Sequence, residues 1–323
     1  MKNLTRKMIT AGMAATMAAS LGIAANAEEA TYKVGICQLI QHEALDAATQ
    51  GFQDALTEKL GDRVEFDVQN ASGESVNCST IINGFVSDQV DLILANATGA
   101  LQAAVAGTSD IPILGTAVTD YATALDIDDW SGTVGSNVSG TSDCAPLDQQ
   151  AAMILELVPE AKTVGMLYCS AEPNSEYQVN VVTEALKELN PDLEIKNYTF
   201  ADSNDISSVA TSATECDVVY IPTDNTAANN TEAINNVMEP AGVPVIAGEA
   251  GICQGCGIAT LSISYYDLGY TTGEMAYEIL EEGADISTME VQYAPNVTKQ
   301  YMADRCEKLG ITVPDDYEAI EAE

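Results

Sequence analysis

Polar groups able to bind or react stand in short clusters, each following an apolar run. DVVYI (217–221) leads to Asp224, Asn225 and Thr226: a carboxylate, an amide and a hydroxyl. YKVGIC (32–37) leads to Gln38 and His42, DLILA (91–95) to Thr98 and Gly99, and IPILG (111–115) to Thr119 and Asp120. TVGML (163–167) leads to Ser170, Asn174 and Ser175, and VPVIA (243–247) to Glu249. Such groups suit a small polar ligand, which in open α/β sheets sits just beyond the carboxyl ends of strands. Asp224 or Thr226 could equally N-cap the following helix.

Catalysis asks for more. His42, the single histidine, could act as a general base, with Ser170, Ser175 or Cys37 as nucleophile. No GxSxG elbow, P-loop or HExxH accompanies them, so the chain reads as a binding protein, not an enzyme, with no cofactor. Of eight cysteines, only Cys253 and Cys256 are closely spaced. A zinc site wants four ligands, and one histidine makes that a poor reading. GEAGICQGCG (248–257) predicts a Gly-rich loop whose two thiols are either bonded to each other or both reduced.

The elements that must position these groups alternate. Strand 32–37, amphipathic helix 43–60, strand 64–69, helix 78–87, strand 91–95, helix 99–106 and strand 111–115 make repeated β-α-β units, hence α/β with mainly parallel sheets. The order then recurs. KVGIC (33–37) matches TVGML (163–167), GFQDALTEKL matches VVTEALKELN, DLILANATG matches DVVYIPTDN, and IPILGTA matches VPVIAGE, at offsets of 130, 130, 126 and 132 residues. Two similar doubly wound lobes follow: 28–140 with 264–290, and 141–263 with 291–323, joined by crossing segments at 134–147 and 257–264. The strand-end loops of both lobes converge on one cleft. Thr98 with the N–H groups of Gly99 and Ala100 faces Asp224 there, a pairing suited to a zwitterion, its ammonium at Asp224 or Glu249.

Lys2, Arg6 and Lys7, an apolar run and Ala25-Asn26-Ala27 read as a secretory leader, 1–27, with no lipoprotein cysteine at the cut. Its removal leaves nine Lys and Arg against 49 Asp and Glu, a formal charge of −40. That field disfavours nucleic acid and anionic lipid as partners. The expected address is periplasmic or extracytoplasmic, and the expected state a monomer.

GICQLIQHEALDAATQGFQDAL (35–56), VDLILANATGALQAA (90–104), SNVSGTSD (136–143), YCSAEPNSEYQV (168–179), YIPTDNTAANN (220–230) and YYDLGYTTGEMA (265–276) go further. Through them the chain resembles the substrate-binding proteins of ABC transporters in the tryptophan/tyrosine-type group, of the type I periplasmic-binding fold. The resemblance implies a venus-flytrap protein that delivers a ligand, usually an aromatic amino acid, to a membrane permease. The family's ligand-contacting loops fall at His42, Thr98, Thr119-Asp120, Asn174-Ser175, Asp224-Asn225 and Glu249. Glu43, Gly99 and Tyr121 stand where the family usually has proline, Cys169 where asparagine is common, and the CxxC is unexpected. The alternatives are a sensor of the same fold for a sugar or nucleoside, and an exported hydrolase.

Overall fold

The computed structural model of the chain describes residues 30–294 and 296–321, so the leader expected over 1–27 lies outside the described residues. Apolar runs and amphipathic stretches alternate as β1 (Tyr32–Gln38), α1 (Glu43–Leu60), β2 (Val64–Asn70), α2 (Ser75–Asp88), β3 (Leu92–Asn96), α3 (Thr98–Gly107), β4 (Ile113–Val118), α4 (Tyr121–Leu125) and β5 (Val138–Ser142). The alternation continues with α5 (Leu147–Leu157), β6 (Thr163–Cys169), α6 (Pro173–Leu189), β7 (Glu194–Phe200), α7 (Ile206–Ala213), β8 (Val218–Ile221), α8 (Asn225–Ala228), α9 (Thr231–Ala241), β9 (Val245–Ala247), α10 (Ala250–Cys256) and β10 (Ala259–Ser262). The chain closes with α11 (Tyr265–Leu280), β11 (Gln292–Tyr293), β12 (Thr298–Tyr301), α12 (Ala303–Leu309) and β13 (Glu318–Ala319).

Among the described residues the strands form a six-stranded sheet, β11-β5-β4-β3-β1-β2, and a seven-stranded sheet, β13-β12-β10-β9-β8-β6-β7. Every pairing is parallel except β10 with β12. This is the two-lobed α/β architecture with mostly parallel sheets. Both lobes lie within one compact unit, Thr31–Glu323. Strands such as β3 and β8 are buried along their whole length, because helices cover both faces and leave no polar side to alternate with. Phe52, Leu56 and Met275 pack on one face of the first sheet, and Ile82, Phe85 and Leu101 on the other.

The chain changes sheets three times: after β5, between β10 and α11, and between β11 and β12. The third crossing corrects a boundary. Residues 292–293 pair with β5 in the first sheet, so the return to the second lobe comes at 294–298 and not at 290/291. The two-residue strand β11 is too short to show its allegiance in sequence.

Helix α11 follows the second lobe in sequence yet packs on α1 of the first. A Cβ at Gly269 would overlap the Ala48 carbonyl, and one at Gly51 the Tyr266 carbonyl, so glycine is what lets these backbones touch. Among the described residues no helix is long and apolar enough to cross a membrane.

Candidate functional site

The strand-end loops of both sheets meet in a cleft. A cavity of about 430 Å³ opens between Leu39, Ile40 and Gly99 of the first lobe and Glu172, Asn174, Asn225 and Thr226 of the second. A second, of about 310 Å³, lies between Gln41 and His42 on one side and Asn229 and Glu249 on the other. Sizes of this order suit small-molecule sites. Among the described residues, neither is lined by lysine or arginine.

His42 lines the second cavity and joins the lobes, its Nε2 lying 3.2 Å from Asn225 Oδ1. The Asn225 amide donates from Nδ2 to Glu172 Oε2 at 2.8 Å. That turns its carbonyl toward the imidazole, so Nε2 must carry the proton and donate. Burial lowers the His42 pKa, favouring the neutral ring.

Asp224 behaves as a cap, not as an open carboxylate. Its Oδ1 accepts from Ala227 N at 2.7 Å, and its Oδ2 from Cys169 N at 2.7 Å and Ser175 Oγ at 2.8 Å. All three donors belong to its own lobe. Glu249 likewise caps α10 through Gly251 N and Ile252 N, and Asp120 caps α4 through Thr123 N. Gln38 turns into its own lobe, donating to Asp46 and accepting from Thr49. Asn174 donates to Glu172 and to the Thr223 carbonyl. Thr226 donates from both its N–H and its hydroxyl to Glu172 Oε1.

The carboxylate that organises the second lobe's loops is therefore Glu172, which the sequence reading passes over. It lies just before Pro173, the first residue of α6, and its partners are up to 54 positions away. Its cue is local only in part, because a residue before an N1 proline sits at a helix start.

Thr98 and Thr119 are both buried. Ala97, just before Thr98, has φ 85°, and Ala117, two residues before Thr119, has φ 51°, and β4 slips register against β5 near Ala117. Left-handed backbone without glycine costs on the order of 1–3 kcal/mol and collects at ligand sites. Tyr121 stacks on Trp130 with ring centroids 6.4 Å apart and hydrogen bonds the Thr141 carbonyl, so it belongs to the first lobe's core. The CxxC departs from the expected loop. Cys253 and Cys256 lie on α10 as buried free thiols, because Glu249 caps one end of this Gly-rich helix. Arg305 bonds the carbonyls of residues 253, 254, 255 and 257 at the other.

Burial, reinforced by the neighbouring Glu172 charge, pushes Asp224 up to about 8, and burial pushes Glu249 up to about 7. A carboxyl raised on folding stabilises the fold below its unfolded pKa, and that contribution is lost as pH rises through the folded value. Partnered surface carboxylates held low, such as Asp217, act with the opposite sign, so an isosteric variant is needed to isolate the effect. Thermal melts from pH 4 to pH 8.5 should show the wild type losing stability relative to Asp224→Asn as pH rises. A constant difference between the two would remove Asp224 as the cause.

Residues 33–322 match the family model described as ABC transporter substrate binding protein. A tyrosine-binding protein of Clostridioides difficile (strain R20291) is 37% identical over 252 residues, 77% of this chain and 72% of the relative. An ABC domain from Streptococcus pneumonia in complex with L-Trp superposes with TM-score 0.85 at 29% identity, over 90% of this chain and 100% of that one. A ligand-free, open substrate binding protein from Clostridium difficile, although 34% identical over 91% of this chain and 100% of its own, reaches only 0.69. A family match along nearly the whole described chain and a shared fold lead to one statement: the chain belongs to the ABC transporter substrate-binding protein family, whose members bind and hand over a substrate outside the cytoplasm and are not enzymes.

Proposed function

We propose that the chain captures an aromatic L-amino acid in its cleft and presents the closed form to a membrane permease. The observation that carries this is the superposition on the L-Trp complex, and the name of the tyrosine-binding relative points the same way. The cleft chemistry fits. With no lysine or arginine lining the cavities, the ligand carboxylate is met by neutral donors, including the N–H groups that open α3 at Thr98 and Gly99, where the helix dipole favours an anion. Leu39 and Ile40 supply apolar wall. His42 and Asn225 close over the ligand, and the two lobes move about the crossing segments, shifting an open–closed equilibrium. The leader at 1–27 directs export, and the protein works as a monomer.

Thermal-shift and calorimetric screening of the leader-free protein against the twenty amino acids, nucleosides and sugars tests this. Tyrosine, tryptophan or phenylalanine should raise the melting temperature by several degrees, as expected for ligand at a large excess over its Kd. Stabilisation by a sugar or nucleoside, with no response to aromatic amino acids, would replace this reading.

A further inference from the structure

A carboxylate outside the expected contacts stands where the chain first crosses between the lobes. Asp143 follows β5 at the first crossing and is 4% exposed. Its Oδ2 accepts from Tyr265 Oη at 2.9 Å, and Tyr265 opens α11 at the second crossing. Its Oδ1 is buried with no hydrogen-bond partner. Buried acceptors nearly always have a partner, and an ionised one without any is costly. The groups around it come from strand-end loops of both lobes. Thr119 stands beside the same carboxyl without closing a bond to Oδ1. Thr223 and Glu249 face Tyr265, and Glu249 also faces Asp143. Asp120 lies near the adjacent Cys144. The charged groups here are acids, and Glu249 and Asp120 spend side-chain oxygens on helix caps.

We propose that Asp143 is the ammonium anchor of the cleft: Oδ1 accepts an N–H from the ligand's α-ammonium, while Tyr265 orients the carboxyl through Oδ2. This rests on the amino-acid reading above and names which acid serves it. Asp224 has both oxygens engaged, by Ala227 N, Cys169 N and Ser175 Oγ, as has Glu249, by Gly251 N and Ile252 N, and of the three Asp143 alone has an oxygen without a partner. Burial raises the Asp143 pKa, and an adjoining ammonium would restore the ionised form.

The test is calorimetry on the leader-free protein with L-tyrosine and its des-amino counterpart, 3-(4-hydroxyphenyl)propanoate, for wild type, Asp143→Asn and Tyr265→Phe. The wild type should prefer L-tyrosine by at least about tenfold, the range of a charge-assisted hydrogen bond. Asp143→Asn should lose about tenfold or more for L-tyrosine and discriminate less than about threefold. Tyr265→Phe should weaken binding by less and keep the preference. Retention of both affinity and preference by Asp143→Asn overturns the anchor and leaves the amino-acid reading standing. If Asp143→Asn does not fold, the wild type decides alone, since equal affinity for the two compounds overturns the anchor. Binding of no aromatic amino acid by the wild type overturns the function proposal. The anchor is then read with aliphatic amino acids and simple amines, and falls if none binds.

Discussion

Glu172→Ala is expected to lower the unfolding free energy by about 2–4 kcal/mol and ligand affinity by at least about tenfold. The carboxylate collects five hydrogen bonds, from Asn174 Nδ2 and from the main chain and side chains of Asn225 and Thr226. Its loss leaves the first N–H groups of α8 without an acceptor, although water from the adjoining cavity offsets part of the cost. It also frees the Asn225 amide to turn, and with that the His42–Asn225 bond across the lobes is lost. Glu172→Gln should be nearly as harmful, because its NH₂ group would point at donors. Denaturant unfolding and ligand titration of both variants check this, and a glutamine variant of wild-type stability would show that shape, not acceptor capacity, is what matters.

A comparable loss, about 3–5 kcal/mol, is expected for Gln150→Ala. Gln150 is fully buried on α5. Its Nε2 donates to the carbonyls of Gly248 and Leu261, and its Oε1 accepts from the Tyr220 hydroxyl at 2.6 Å. One amide thus joins the end of β8's neighbour β9, the crossing strand β10 and the strand that leads to Asp224. Truncation takes a partner from three buried polar groups, of which the Gly248 carbonyl keeps Thr223 Oγ1 as a second donor, and opens a cavity. Tyr220→Phe removes the group that most needs the glutamine oxygen, so the double variant should cost less than the sum of the single changes, a coupling that chemical unfolding can measure. Strict additivity would place the two residues in separate networks.

The sheets are legible because each central strand is a short apolar run and the order of elements repeats. Helix 43–60 has both limits in the sequence, an acidic first turn and Gly61 at its end. Helix α2 begins at Ser75, three residues before the apolar stretch that announces it, because its first turn is polar and its packing face starts only at Cys78. The glycines of 248–257 predict a loop, and capping by Glu249 and the distant Arg305 makes a helix of it instead. In the site, the clusters after the strands do gather at one cleft, yet the roles within them depend on partners far away in sequence. Asp224 shows this most plainly. The cap reading and the ligand reading look alike in DNTAANN, and only the positions of Cys169 and Ser175 separate them. Glu172 carries only the partial cue of the proline after it, and Asp143, at the end of a Gly- and Ser-rich crossing, carries no local pattern.

The glycine-lined contact between α1 and α11 has a consequence for how the molecule comes into being. The first lobe lacks the helix that covers one of its faces until residues 265–280 have been made, whereas the second lobe's strands β6 to β10 are continuous in the chain. During vectorial synthesis or export, the segment that emerges first must wait, with the side of α1 around Ala48 and Gly51 uncovered, while the segment that emerges later can begin to pack on its own. A chain cut after β5 would expose that same apolar face for good. The protein's N-terminal half is therefore the part most in need of protection before release, and its last-made long helix is the piece that completes the half made first.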